Sequence, residues 1–286
     1  MKISTEIGST ARFVGEERAV ELCAKAGFDA WDFSIFRMAK FDWEADKVVP
    51  SDHPLTRPDY REFVKRLRKI GEDNGIHCNQ SHAPFPSHCP EIRDYFKRTI
   101  ECTALAGADI CVIHPMNLAS LSENREMYLE LLPFAREYGV RIAVENMWEW
   151  DCARNHACRA ACSHHDEFRA YMDTLEDEHF VACLDIGHAE MRGLETSAVK
   201  MIRALGNRLA ALHIHDNDRW QDRHQLPFTM DIDFGPIVKA LREVGYRGYF
   251  TLEADRCLSG YKHDVFAGLQ AMAQAARRLA DMFEER

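Results

Sequence analysis

Residues 139–146 read Gly139-Val140-Arg141-Ile142-Ala143-Val144-Glu145-Asn146. A glycine without a Cβ is the usual left-handed stop at the end of a helix. The run Val140 to Val144 has the apolar, β-branched character of a parallel strand buried on both faces. It ends in a carboxylate and an amide, groups that core packing does not call for.

The same order recurs outward along the chain. Gly27 precedes Phe28-Asp29-Ala30-Trp31, Gly75 precedes Ile76-His77-Cys78, and Gly107 precedes Ile110-Cys111-Val112-Ile113. Gly206 precedes Leu209 to Ile214, and Gly245 precedes Tyr249-Phe250-Thr251-Leu252. With Met1-Lys2 running into Ile3-Ser4-Thr5-Glu6-Ile7, this gives eight expected strands: 2–7, 28–35, 77–83, 108–114, 140–146, 180–186, 209–215 and 248–254.

Between them lie helix-period segments. Pro58 suits a helix start, and Tyr60, Phe63, Val64, Leu67 and Ile70 mark one face of that helix. Val265, Phe266, Leu269, Met272, Ala276, Leu279 and Phe283 form a stripe on the last helix, expected to lie against the barrel or against a partner subunit in a homo-oligomer. Eight strands alternating with helices predict an α/β fold, a single (β/α)8 TIM barrel covering residues 1–286 as one domain. An open doubly wound sheet would carry a glycine-rich phosphate loop after the first strand, and Gly8-Ser9-Thr10 is a poor match.

The strand ends carry the chemistry. They read Ser81-His82-Ala83-Pro84, Ile113-His114-Pro115, Val144-Glu145-Asn146, Leu184-Asp185-Ile186-Gly187-His188, His213-Ile214-His215-Asp216-Asn217-Asp218 and Leu252-Glu253-Ala254-Asp255. The steps from 82 to 114, 145, 185, 215 and 253 are 32, 31, 40, 30 and 38 residues. One βα unit takes roughly 30 residues or slightly more, so these groups reach one height on successive strands. In a closed barrel they meet at the C-terminal mouth. Glu145, Asp185 and Glu253 would repel there unless a cation stood among them. Three carboxylates with an imidazole suit Mn²⁺, Co²⁺ or Mg²⁺, with Zn²⁺ allowed. His213 and His215 are two apart and point inward together, so spacing does not choose between them.

Bulk composition agrees with an ordinary globular protein. Hydrophobic residues make up 46% and charged residues 29% of the 286. The net charge of 36 − 46 = −10 argues against general nucleic-acid binding. No leader-like h-region and no 18-residue apolar run appears, and Cys23, Cys78, Cys102, Cys111 and Cys183 sit in apolar runs. Reduced, buried thiols in a cytoplasmic protein without membrane spans are expected.

At these residues the chain resembles the sugar phosphate isomerase/epimerase family with the xylose isomerase-like barrel. The order and spacing of Ser81-His82-Ala83-Pro84, His114-Pro115, Glu145-Asn146, Leu184 to His188, His213-Ile214-His215 with Asp218, and Leu252-Glu253 carry the resemblance across nearly the whole chain. It implies a divalent ion held by Glu145, Asp185, His215 and Glu253, with Glu145 and Glu253 also moving the proton through a metal-stabilised enediolate. It further implies substrate contacts from His188 and Arg219, to which His82, His114, His224 and Trp148 are added as candidates at the mouth. The substrate is then a small sugar, ketose, inosose or sugar phosphate, and a related sugar or inosose dehydratase shares the chemistry.

Three features complicate this reading. The loop after strand seven, Asp222-Arg223-His224-Gln225-Leu226-Pro227, lacks the glycines that relatives often carry, which puts its path in question. The superfamily also contains endonuclease IV, a zinc phosphodiesterase of abasic DNA. Its ligand pattern maps onto His82, His114, Glu145, Asp185, His188, His215, Asp222, His224 and Glu253, although Ile186-Gly187 stands where the nuclease has Thr-Cys. Finally, Cys152, Cys158, Cys162, His164 and His165 cluster after strand five and are read as packing rather than a zinc clip. The aromatics Trp31, Phe85, Trp148, Trp150 and Trp220 are expected near the mouth, for stacking on a sugar or for packing under loops.

Overall fold

The computed structural model describes residues 1–285. Among them, eight parallel strands form the barrel: β1 (Ile3–Thr5), β2 (Ala30–Phe33), β3 (His77–His82), β4 (Ile110–Val112), β5 (Arg141–Glu145), β6 (Phe180–Asp185), β7 (Leu209–His213) and β8 (Phe250–Leu252). The strands β2 to β7 are hydrogen-bonded in sequence order, and β1 pairs with β8. The bridges Glu6–Asp32 and Ile214–Leu252 join the two sets, with Ile7 N–H donating to Asp32 O at 3.1 Å and Ile214 N–H to Thr251 O at 2.9 Å. Closure leaves no sheet edge. Every expected strand is present, shortened by one to several residues. At the mouth, His114, His215 and Glu253 lie just past the ends of their strands.

The helices α1 (Glu16–Ala26), α2 (Tyr60–Asp73), α3 (Phe96–Ala106), α4 (Leu121–Tyr138), α5 (His165–Asp173), α6 (Ala198–Leu205), α7 (Phe234–Glu243) and α8 (Val265–Glu284) surround it. Gly27, Gly107 and Gly139 end α1, α3 and α4 in the left-handed conformation, with φ of 99°, 89° and 65°. Tyr60, Phe63, Val64 and Leu67 of α2 are buried, as are Val265, Leu269, Met272, Ala276 and Leu279 of α8. The latter helix packs on both α7 and α1, so its stripe is used within the chain.

Cys23, Cys78, Cys102, Cys111 and Cys183 are buried free thiols, and Cys162 also sits in the core. Trp31 is not at the mouth. Asp32 faces the barrel interior, and Trp31 beside it turns outward, wholly buried near Gly71 of α2. No helix of the described residues is long and apolar enough to cross a membrane.

Two short antiparallel hairpins interrupt the repeat. One pairs Lys40–Asp42 with Lys47–Val49 after β2; the other pairs Glu149–Asp151 with His156–Cys158 after β5. Both are too short to give a periodic signal in sequence.

Candidate functional site

Alternation along the strands builds the site. Ile110, Val112, Ala143, Val181, Cys183 and Ala211 pack together in the barrel interior. Two residues further along the same faces stand His114, Glu145, Asp185 and His213, and then His215. Glu145, Asp185, His213 and His215 are each at most 1% exposed.

The groups meet at contact distance. His82 Nε2 lies 2.9 Å from His114 Nε2, and His114 Nε2 lies 3.2 Å from Glu145 Oε2. His213 Nδ1 stands between the two glutamates, 3.2 Å from Glu145 Oε1 and 3.1 Å from Glu253 Oε2. His215 Nε2 faces Asp185 Oδ1 at 3.1 Å and Asp222 Oδ1 at 3.3 Å. Asp222 Oδ2 reaches His224 Nε2 at 3.0 Å and His188 Nε2 at 3.3 Å. The His215 and His224 rings stack 4.1 Å apart.

A polar chain inside the barrel supports His213. Asn79 Nδ2 donates to Thr251 Oγ1 at 3.1 Å, Thr251 Oγ1 to Gln80 Oε1 at 3.2 Å, and Gln80 Nε2 to Asp32 Oδ2 at 3.0 Å. Asp32 Oδ2 then lies 3.5 Å from His213 Nε2. One side of the barrel interior is thus apolar, and the other is hydrogen-bonded toward the site.

Burial and charge act against each other here. Burial alone would raise the Glu145 carboxyl, but His213 and His114 outweigh it and hold it well below the usual carboxylate range. Burial wins at Glu253, pushing it up to about 8 despite His213 and His224. At His188 burial disfavours the proton, but Asp185 and Asp222 push it up to about 10. Burial takes His82 down to about 4.

The donor set fits a divalent cation. Glu145 Oε2, Asp185 Oδ2, His215 Nε2 and Asp222 Oδ1 are buried without a hydrogen-bond partner, an arrangement that costs free energy unless something else satisfies those atoms. His188, His215, Asp222 and His224 can bring ligand atoms within 4.8 Å of one another, as can His82, His213 and Glu253, and His82, His114 and Glu145. Oxygen and imidazole donors of this kind suit Mn²⁺, Co²⁺, Mg²⁺ or Zn²⁺.

The glycine-poor loop after β7 reaches the site under strain. Arg219, His224 and Phe228 take φ of 62°, 43° and 71°, a region that residues with a Cβ seldom adopt. Asp216, fully buried, compensates: its Oδ1 accepts from Asn217 N–H at 2.9 Å and Ile232 N–H at 3.0 Å, and its Oδ2 from Thr229 N–H at 3.1 Å and Met230 N–H at 2.9 Å. His224 is fixed besides by Glu253 O and Asp255 Oδ1, each 2.9 Å from Nδ1.

A cavity of about 690 Å³ opens above the site and is lined by His82, His114, Glu145, Trp148, His188, His224 and Glu253 among the expected residues. Asp185 and His215 lie beneath it, both at 0% exposure. Arg219 stands apart, its guanidinium 3.3 Å from Glu190 Oε2. Phe85 and Trp148 line the cavity, whereas Trp220 stacks under Arg192. Asp32 was not anticipated, Asp222 had entered only through the nuclease ligand pattern, and His213 only as the alternative to His215. Asp222 lies two residues before His224, His213 two before His215, and Asp32 is an acid near the end of its strand, as Glu145 and Asp185 are on theirs.

The family described as xylose isomerase-like TIM barrel matches residues 20–285. The uncharacterized protein MJ1311 of Methanocaldococcus jannaschii is 25% identical over 238 residues, 77% of this chain and 78% of its own. Among solved structures, the IOLI protein with a bound zinc atom superposes with a TM-score of 0.74 at 18% identity, covering 99% of each chain. D-psicose 3-epimerase in the presence of D-fructose does so at 0.72 and 16% identity, covering 100% of each. At such identities the likeness establishes the fold, and function rests on the site.

Proposed function

The chain belongs to the xylose isomerase-like TIM barrel family, and from that premise we propose that it is a divalent-metal-dependent isomerase or epimerase of a small sugar-like substrate, working as one domain. The observation that carries this reading is that Glu145, Asp185 and His215 keep buried ligand atoms unpartnered at the barrel mouth, where Glu145 and Glu253 line one cavity. Glu145, Asp185, His215 and Glu253 would hold the ion. When bound, it would supply Lewis-acid stabilisation of the negative charge that develops on the substrate's carbonyl and hydroxyl oxygens.

The chain's own groups move the proton. Glu145 and Glu253 enter from strands three apart in the ring and both reach His213 Nδ1. One takes the proton from the carbon next to the carbonyl and the other returns it. Return to the opposite face of that carbon inverts a centre; return to the adjacent carbon exchanges aldose and ketose. His82, His114, His188 and His224 orient the substrate hydroxyls, Trp148 offers a ring face, and Arg219 joins on release from Glu190.

The test is a panel of ketoses, aldoses, inososes and their phosphates with Mn²⁺, Co²⁺, Mg²⁺ or Zn²⁺ in D₂O, read by NMR. Deuterium uptake next to a carbonyl is expected, abolished by chelation and restored by the ion. No uptake from any member with any ion would overturn the reading. Loss of water in place of exchange would identify the dehydratase variant.

One observation favours a second reading. The groups His82–His114–Glu145 and His188–His215–Asp222–His224 are each compact enough for an ion of their own, as a zinc phosphodiesterase of abasic DNA would need. The net charge of −10 weighs against it. So does Gly187, where a side chain such as the nuclease's cysteine would collide with His215. Cleavage of a duplex carrying an abasic site, with Zn²⁺ added, separates the two.

A further inference from the structure

The cavity has a volume of about 690 Å³ and is lined well beyond the ionisable set. Cavities of this size house drug-sized ligands.

Its polarity is divided. The floor is the ionisable set described above. The apolar part of the wall is made by Phe85, Met116, Leu118, Met147 and Trp148, with Trp43 at the tip of the hairpin after β2, and Ser87, His88, Asn117 and Glu149 line the cavity beside them. Trp43 is 64% and Leu118 78% exposed, so two large apolar side chains at the lip face water and gain by being covered. The wall is held in place. The Phe85 ring stacks on His114 at 5.1 Å, and Phe41 of the hairpin sets its edge against both Trp43 at 5.0 Å and His88 at 6.2 Å.

A polar floor under a flat apolar wall fits a ligand with a sugar head and an aromatic tail. Resting on the isomerase or epimerase reading, we propose that the substrate is a glycoside with a flat apolar aglycone, the sugar on the floor and the aglycone between Trp43, Phe85, Leu118 and Trp148. A glycosidic bond occupies the anomeric carbon, so the carbonyl that acidifies the neighbouring C–H is a ketone on the sugar ring. The C–H electron pair moves onto the carbonyl oxygen as the proton passes to a glutamate. Return of the proton re-forms C–H, with no net oxidation and no leaving group.

Calorimetric binding tests this without turnover. The probes are matched phenyl and methyl β-D-glycosides of glucose, galactose, mannose and xylose, each oxidised to a ring ketone, with the metal-loaded protein. At least one phenyl glycoside is expected to bind tenfold or more tighter than its methyl partner. Trp43→Ala and Leu118→Ala should each reduce that ratio about threefold, and the double variant should bring it near one. The methyl glycoside, too short to reach the lip, serves as the reference. No preference in any pair, a preference that survives the double variant, or no binding of any probe would overturn the proposal. Deuterium uptake from free sugars alongside such a failure would leave the isomerase reading standing. An intact preference without proton exchange on any carbonyl sugar would do the reverse.

Discussion

The backbone of Gly187 lies directly against the imidazole of His215: a Cβ built on it would fall 1.9 Å from Cε1 and 2.3 Å from Nε2. Nε2 is the atom that faces Asp185 and Asp222. Gly187 is also anchored from the other side, its carbonyl accepting from Asn217 Nδ2 at 2.8 Å. The ring must therefore yield if a methyl group is added. Gly187→Ala is expected to lower metal affinity and turnover by about 10–100-fold, the usual effect of disturbing a ligand's support, at a stability cost of about 1–3 kcal/mol. Metal content after dialysis, measured beside deuterium exchange, decides it. Wild-type metal retention and turnover in the variant would show that the ring position is irrelevant.

Asp216 gathers four backbone N–H groups from a loop containing three residues at positive φ. Asp216→Ala removes all four acceptor bonds, and about 2–4 kcal/mol of stability should go with them. Asp216→Asn keeps one carbonyl oxygen and should cost less. In both variants residues 217–232 should exchange amide hydrogens faster, and the positions of Asp222 and His224 should loosen. Unchanged exchange in that segment of the alanine variant would assign the loop's path to some other restraint.

These two relationships show where the sequence was readable. The barrel was legible because the glycine stop, the apolar strand and the polar strand end repeat at one βα spacing. Glu145, Asp185 and Glu253 followed from the spacing of the strand ends, whereas parity places His213 and His215 on one face and only the family resemblance singled out His215. Asp216 was not legible, because an aspartate after a strand reads as a turn residue, and its partners lie up to 16 residues ahead. Trp31 was misplaced because its strand starts with a different parity: Asp32 takes the inward position and turns Trp31 toward the helices. The hairpin that presents Trp43 has strands of three residues, below the length at which alternation is visible.

The base of that hairpin is tied down by Glu16, whose Oε1 accepts from Arg37 NH1 at 2.7 Å and lies 2.8 Å from His53 Nε2. Partial burial would raise this carboxyl, but His53 and Arg37 outweigh it and lower it below 4.5. A carboxylate depressed in the folded chain stabilises it above the unfolded value, and the contribution fades as pH falls through the folded one. About 1 kcal/mol should therefore be lost on acidification below about pH 4.5. Glu16→Gln should already lack that increment at pH 7 and show a flatter acid limb in urea titrations. Parallel pH profiles for the two proteins would contradict the assignment.

Glu145 and Glu253 both reach His213 Nδ1, yet they sit in unlike surroundings. Glu145 is 1% exposed and also faces His114; the Glu253 side chain is 18% exposed and, among the described residues, has only His213 in ion-pair range. Each amide substitution removes one proton-transfer group while keeping shape and volume. Glu145→Gln and Glu253→Gln should each lower turnover by about 10²–10⁴-fold, the range for losing a general acid or base, and leave the thermal midpoint within a few degrees. Because both residues also bind the ion in the proposed site, metal content must be measured on each variant. A variant that keeps the ion and loses exchange assigns its glutamate to proton transfer. One that keeps both the ion and near-normal exchange removes that glutamate from the reaction.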